Sequence, residues 1–130
     1  MQITRTLSKL DFYDTDIIRR KGTYTIVDEI DEIGENAFGH YLNLREITIP
    51  ANVKKIKAYA FANCFNLTTL KFCSAVTVEK GAFDGCHNIK KIALTENVLK
   101  DFDYTPCKIE LYESYLKSVT NPQVDIYIEP

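Results

Sequence analysis

The chain has 130 residues, 45% of them hydrophobic and 26% charged, a composition typical of one domain with a packed core rather than of a disordered segment. Its 16 basic and 18 acidic residues leave a formal net charge of −2, which argues against nucleic acid as a partner, because phosphate binding needs clustered lysines and arginines. No apolar run approaches the ~20 residues of a membrane-spanning helix, so we expect no insertion into a membrane.

Residues 1–22 carry apolar side chains without a clean period, and we predict that they form an N-terminal cap, as a hairpin or a short helix starting near Ser8. This segment lacks the continuous apolar stretch and the small-residue cleavage site of a signal peptide. Arg19-Arg20-Lys21 is a basic triplet that could contact an acidic partner. Three charges alone are more typical of a solvated edge, which is the interpretation we favour.

A stretch of about 22 residues then occurs three times, at residues 33–55, 56–77 and 78–98, after a partial copy at 23–32. Phe38, Phe61 and Phe83 hold the same position in the full copies. A fixed period in this range is typical of a solenoid, in which each coil buries its apolar face against the next coil. We therefore expect the three phenylalanines to stack in the core.

The spacing inside one copy predicts the shape of a coil. Ile47 and Ile49 alternate with a polar residue, which is the period of a half-buried strand, and Pro50 ends that strand because it has no N–H to donate. Residues 53–56 form a second, shorter extended piece. Residues 58–62, AYAFA, are too short and too rich in alanine for a strand and predict one helical or 3₁₀ turn.

The pattern I-x-x-x-AF-x-x-C-x-x-L-x-x-I-x-I-P-x-x-V resembles the BspA-type leucine-rich repeats of bacterial and protozoan proteins. The resemblance implies a leucine-rich-repeat right-handed solenoid with a protein-binding role, and it implies no catalytic residues. Many relatives look secreted or surface-bound, so the absence of a signal peptide is a departure. We expect a cytoplasmic protein if the chain is complete, and a secreted or cell-surface protein if it was trimmed.

The copies also align charged residues. Within the acidic cluster at residues 28–35, Glu32 falls in the column of Lys55, and Lys57 falls in that of Glu79. Stacked parallel strands lie ~4.8 Å apart, so we predict that these pairs face each other laterally and help to specify which coil neighbours which. A cation site is the less favoured interpretation, because the carboxylates do not have the spacing of an EF-hand loop.

Two further columns are predicted to be structural ladders, namely Asn43, Asn66 and Asn88 before each strand, and Cys64 and Cys86 in the core. Asparagine can hydrogen-bond nearby backbone, and a stacked row can join coil to coil. We expect the cysteines to remain thiols, because the strand spacing exceeds the ~3.8 Å between the Cβ atoms of a disulfide.

The sequence gives only weak indications of a metal site or a catalytic site. A zinc site from Cys64, Cys73, Cys86 and His87 has no C-x-x-C spacing to support it. A nucleophile pair of Cys86 with His40, or of Cys73 with His87, lacks a third group to orient the histidine. We therefore expect no cofactor, no metal and no enzymatic activity.

Residues 99–130 are predicted to form a degenerate repeat and a C-terminal cap, with Cys107 in an exposed loop. The cap comprises a strand at 109–111, a short helix at 113–120 and a closing strand at 126–128. The predicted fold is a single parallel sheet of about six short strands, with short helical or 3₁₀ turns on the opposite side, and its strands lie at 24–26, 47–49, 70–72, 92–94, 109–111 and 126–128.

The solvent face of that sheet is the predicted binding surface, because side chains from successive coils line up on it. The alternation assigns to it Thr23, Thr25, Glu46, Thr48, Thr69, Lys71, Lys91, Ala93, Lys108, Glu110, Asp125 and Tyr127. The sequence favours a non-catalytic protein-interaction module that uses this face or the loop edge beside it. The alternative is a structural or self-associating unit that pairs through its end strands, as a monomer or a weak homodimer.

Overall fold

The computed structural model describes residues 4–10, 12–27, 29–73, 76–95 and the backbone of 125–129. Its elements, in chain order, are β1 (Thr6–Leu7), α1 (Phe12–Lys21), β2 (Thr23–Thr25), β3 (Glu32–Ile33), β4 (Glu46–Ile49), β5 (Lys55–Ile56), β6 (Thr69–Phe72), β7 (Thr77–Val78), β8 (Lys91–Thr95) and β9 (Asp125–Glu129). Each coil of the repeat contributes one longer and one shorter strand.

The longer strands form the main sheet, which is parallel throughout and has the order β2-β4-β6-β8-β9. Its register joins equal repeat positions, so that Tyr24, Ile47, Leu70, Ile92 and Ile126 lie side by side. The predicted strand at 109–111 and the predicted helix at 113–120 lie outside the described residues. β8 pairs with β9, and the described part of the sheet has five strands.

The two-residue strands form a second parallel sheet, in the order β1-β3-β5-β7. The prediction of a single sheet was therefore wrong. The short extended piece of each coil pairs with the same piece of its neighbours, which provides partners for backbone groups that would otherwise be buried unpaired. Leu7 pairs with Ile33, so this sheet begins inside the segment that we predicted as a cap.

The N-terminal helix α1 begins at Phe12 rather than near Ser8 and ends at Lys21. Arg19, Arg20 and Lys21 form its last turn, where positive charge complements the helix dipole. Gly22 terminates the helix: its N–H donates to the Ile18 carbonyl at 2.7 Å and its φ is 75°. α1 contacts β2 and takes the place of the phenylalanine turn in the first coil.

The phenylalanine segment of each coil is a hydrogen-bonded turn, not the helical or 3₁₀ turn that we predicted. Two columns adopt the left-handed conformation, with φ between 59° and 82°: Asn36, Tyr59 and Gly81 before the phenylalanine, and His40, Asn63 and Gly85 after it. A left-handed residue at each end prevents the helical path from continuing. Backbone bonds then join the coils, for example from Phe38 N to Ala60 O at 2.7 Å.

The core is built around a stack of aromatic rings. The ring centroids of Phe38 and Phe61 lie 4.8 Å apart, and the planes of the two rings differ by 8°. The centroids of Phe61 and Phe83 lie 5.1 Å apart, and their planes differ by 10°. Tyr41 contacts the Phe38 ring edge-on at 5.7 Å, and Tyr24 lies 6.1 Å from it in a tilted arrangement. The stack therefore runs from coil to coil and ends on two tyrosines at its N-terminal side.

The charged columns pair diagonally and not laterally. The register places Glu32 beside Lys55, but Glu32 Oε1 lies 3.4 Å from Lys57 Nζ, and Lys55 Nζ lies 3.5 Å from Glu79 Oε2. The lateral pairs that we predicted were wrong in this respect. Each carboxylate is held by another donor, the Thr6 hydroxyl at 2.6 Å for Glu32 and a backbone N–H at 3.0 Å for Glu79, and the flexible lysines adapt to these positions.

Glu32 should make the stability of the fold sensitive to acid. The hydrogen bond from Thr6, together with the Lys57 ammonium group, lowers the pKa of Glu32. A carboxyl group whose pKa is lowered by folding stabilises the protein above its unfolded-state pKa of ~4.3, and this contribution is lost as the pH falls through the folded-state pKa. We expect Glu32→Gln to destabilise the protein at pH 7 by no more than ~1 kcal/mol, because the pair is partly exposed, and by less in acid.

Urea unfolding of both proteins at neutral pH and below pH ~4 measures this difference. Glu35→Gln is the matched control, since Glu35 is exposed and close in sequence. An equal loss of stability on acidification in the wild type and in Glu32→Gln would contradict the assignment.

Candidate binding surfaces

The outer face of the main sheet is composed of two rows of side chains that cross the strands. The register aligns Thr23, Glu46, Thr69 and Lys91 in one row, and Thr25, Thr48, Lys71 and Ala93 in the other. The residues between them, such as Ile47 and Leu70, point into the core and are 0% exposed. The two-residue alternation of the strands therefore separates the core from a continuous outer surface.

The members of this face differ in exposure. Thr23, Thr25, Glu46 and Lys91 are exposed, whereas Thr48, Thr69 and Lys71 are half-buried. Ala93 was predicted to be outward-facing and accessible, but it is only 2% exposed, because its short methyl group lies between two flanking strands. Lys108 and Glu110 lie outside the described residues, and so do the side chains of Asp125 and Tyr127.

Hydroxyl groups and single charges of both signs make this face suited to hydrogen bonding with another protein. Among the side chains that the structure describes on this face, Glu46 is acidic, and Lys71 and Lys91 are basic. Among residues 4–10, 12–27, 29–73 and 76–95, no three His, Cys, Asp or Glu side chains converge where they could hold a metal ion. The arrangement therefore suits contact with another protein surface.

The asparagine column connects successive loops. Asn66 Nδ2 donates to Leu42 O at 2.6 Å, and Asn88 Nδ2 donates to Phe65 O at 2.6 Å. Both amides therefore bond the backbone of the preceding coil. Asn43 is the first member of the column, and in the described part of the chain its amide makes no corresponding bond.

The cysteine column is part of the core. Cys64 Sγ donates to Phe38 O and Cys86 Sγ donates to Phe61 O, both at 2.9 Å. The neighbouring Cys86 thiol and burial raise the pKa of Cys64, which favours the protonated thiol over the nucleophilic thiolate. The three cysteines in the described ranges, including Cys73, form no disulfide.

The two histidines lie on the surface, in the turns of different coils. His40 Nε2 lies 3.4 Å from Asn63 Nδ2, and the His87 ring is stacked on Phe65 at 6.5 Å. The Cys86 thiol is directed to a backbone carbonyl instead. The structure therefore does not bring His40 and Cys86 together as a nucleophile pair.

A groove that sequence reasoning missed lies between α1 and the loop at residues 40–45, and we call it the edge groove. It consists of two adjoining cavities of about 620 and 560 Å³ that share Arg19, Leu42 and Asn43. The first is also lined by Thr15, Asp16, Ile18, His40 and Tyr41, and the second by Arg20, Gly22, Arg45, Asn66 and Thr68. The second cavity reaches the starts of β2, β4 and β6, so the edge groove adjoins the outer face of the main sheet.

The charge of the edge groove is positive. Arg19 and Arg20 both form ion pairs with Asp16, with Arg20 Nε 2.9 Å from Asp16 Oδ2. The hydrogen bond from Arg19 is the main reason that the pKa of Asp16 is lowered, so the carboxylate is ionised at neutral pH. Arg45 is held by a 3.0 Å bond from Nη2 to Lys21 O. The lining of the edge groove therefore carries three guanidinium groups and one carboxylate.

The arrangement of coils matches a known repeat family. The model of the BspA-type leucine-rich repeat region matches residues 6–124 in six copies. The chain belongs to the BspA-type leucine-rich repeat family. The match begins at the first residue of β1, in agreement with the coil that the structure places there. No curated protein and no solved structure matches the chain significantly.

Membership of the BspA-type family indicates a repeat solenoid of a kind that usually binds proteins and is typically non-enzymatic. The parallel strands, joined in equal register, agree with that architecture. In the part of the chain that the structure describes, no helix is long and apolar enough to cross a bilayer.

Proposed function

We propose that this BspA-type protein is a non-catalytic interaction module whose protein partner binds to the outer face of the main sheet. The observation that carries the proposal is the register, which brings equal positions of successive coils into two rows on one surface. A partner that contacts several coils can then bind side chains that are far apart in sequence. Both signs of charge are present, which favours selection of one partner orientation.

The size of the face is informative. Five strands, each ~4.8 Å wide, and about 12 Å of outward strand length give a surface of roughly 290 Å². A standard protein interface buries about 800 Å² on each partner. A partner that binds to this face must therefore also contact neighbouring surface, and the edge groove is a concave surface that adjoins the face in the described part of the chain.

We expect the simultaneous substitutions Glu46→Ala, Lys71→Ala and Lys91→Ala to weaken partner binding at least about tenfold, because they remove the charged side chains that the structure describes on the face. The measurement is a pull-down from a lysate of the source organism, with quantitative mass spectrometry of the proteins retained by each bait. Circular dichroism should show an unchanged fold, since these positions are at the surface.

The matched control carries Glu35→Ala, Lys54→Ala and Lys80→Ala, the same change in charge at three exposed positions outside the main sheet. Proteins retained by the wild type and by this control, but lost with the face variant, support the proposal. If every retained protein binds the face variant equally well, the outer face is not the binding surface.

A further inference from the structure

The edge groove exists because the first coil departs from the repeat. The register of β2 on β4 puts Arg19 and Arg20 in the columns of Leu42 and Asn43. Later coils have a loop at this position, against which the next coil packs, but the first coil has the last turn of α1 there. The loop at residues 40–45 therefore faces a helix and leaves a concave surface between them.

Asn43 shows most clearly that the first coil has no loop at this position. In the next two coils the amides of Asn66 and Asn88 each donate to a loop carbonyl at 2.6 Å. Asn43 lines both cavities, is exposed and makes no such bond within the described residues. An extended backbone lying in the edge groove would supply the carbonyl that the preceding loop supplies elsewhere.

The charge of the edge groove selects the kind of chain that fits. The last turn of α1 supplies Arg19 and Arg20. Arg45 of the next coil lies at the same end of the helix, where it donates to Lys21 O and lines the same cavity. This local excess of positive charge occurs in a chain whose net charge is −2. Guanidinium groups bind carboxylates with two parallel hydrogen bonds, so acidic side chains complement this end.

The other end of the edge groove has an apolar part beside the polar residues Asp16 and His40. Ile18 forms part of its wall and is 2% exposed, and Leu42 is 49% exposed and borders both cavities. A large aliphatic side chain exposed at this level beside a cavity is a suitable contact for an apolar residue of a ligand. The two ends are joined at Leu42, so one short segment can occupy both.

We propose that the edge groove binds an extended acidic segment of a partner protein, with one apolar side chain beside Leu42 and carboxylates on Arg19, Arg20 and Arg45. Asn43 donates to a backbone carbonyl of the segment, as its column does between coils. This inference rests on the proposed interaction function and specifies the chemistry of one partner segment. It uses a surface different from the outer sheet face.

The test is selection of phage that display random 12-residue peptides on the immobilised full chain, followed by fluorescence anisotropy of labelled peptides from the enriched pool. We expect the pool to be richer in Asp and Glu than the starting library and to contain an aliphatic or aromatic residue. Arg20→Glu, Arg45→Glu, Leu42→Ser and Asn43→Ala should each raise the Kd about tenfold or more. Binding should also weaken from roughly 0.05 to 0.5 M salt, because it depends on surface charges.

Lys80→Glu and Val27→Ser are the matched controls, since Lys80 is exposed in another coil and Val27 is 50% exposed, close to the value for Leu42. Both should bind the selected peptides as the wild type does. Arg45→Glu also removes the bond from Arg45 to the Lys21 carbonyl, and it could disturb the fold for that reason. Arg20→Glu leaves that bond in place and therefore tests the charge of the groove separately. A pool without acidic enrichment, no enriched pool, or equal affinity of the groove variants would each overturn the proposal.

The sheet-face variant with Glu46, Lys71 and Lys91 changed to Ala separates this inference from the proposed function. It should bind the selected peptides with unchanged Kd, because none of its three substitutions lines the edge groove. If peptide binding depends on the sheet face and not on the arginines, the inference about the edge groove is contradicted and the proposed function is not. Loss of lysate partners without loss of peptide binding supports both surfaces.

Discussion

Phe61→Ala is expected to lower the free energy of unfolding by about 3–5 kcal/mol, because it removes the central ring of the aromatic stack. Phe61 is 0% exposed and its ring is stacked between Phe38 and Phe83 at 4.8 and 5.1 Å. Removing the ring leaves a cavity in the centre of the core and ends two aromatic contacts at once. Neighbouring coils cannot collapse into it without breaking the register of both sheets.

Phe65→Ala is the matched control, because it makes the same chemical change four residues away in a side chain that is 43% exposed. Its cost should remain below about 1 kcal/mol. Urea unfolding followed by far-ultraviolet circular dichroism measures both values. Similar costs for the two substitutions would be incompatible with a core organised around the stacked rings.

Gly85→Ala is expected to lower the free energy of unfolding by about 1–3 kcal/mol, from two causes that add. Gly85 has a φ of 80°, where a residue with a Cβ atom is strained. The new Cβ atom would also lie 2.2 Å from Asn63 Oδ1 and 3.3 Å from Asn63 N. The side chain of Asn63 would have to move, and its backbone is fixed by bonds between coils.

Gly39→Ala is the control for this prediction, because a Cβ atom there would meet nothing nearer than Asn36 O at 3.4 Å. Its cost should be clearly smaller than that of Gly85→Ala. The double substitution Asn63→Gly with Gly85→Ala should recover the part of the lost stability that is due to the contact with Asn63. Thermal unfolding of the wild type, Gly39→Ala, Gly85→Ala and the double variant measures this. A neutral Gly85→Ala would show that the turn tolerates a side chain that the structure does not accommodate.

The sequence predicted the longer strands and the aromatic stack, because the apolar residues of each copy recur at one spacing and any shift of register would bury polar groups. Ile47 and Leu70 therefore lie side by side, as their columns predict. The second sheet was missed because a strand of two residues, such as Lys55–Ile56, has no periodicity to recognise. The left-handed columns were missed because residues as different as Tyr59 and Gly81 share one conformation.

The partners of charged side chains were beyond prediction for a different reason. Aligned columns determine which backbone positions are adjacent, and Glu32 does pair in register with Lys55. The ammonium group that it contacts belongs to Lys57, because a long side chain can reach a neighbouring rung. The edge groove depends likewise on how α1 lies against the next coil, and the signal in the sequence was the basic triplet at residues 19–21.

The bonds made by the asparagine and cysteine columns run in one direction. Asn66, Asn88, Cys64 and Cys86 each donate to a carbonyl of the coil that precedes them in the chain. A coil emerging from the ribosome therefore finds its side-chain acceptors already synthesised, and it can dock without waiting for later sequence. This direction of the bonds suits folding from the N-terminus during synthesis, in which α1 is the first surface that later coils pack against.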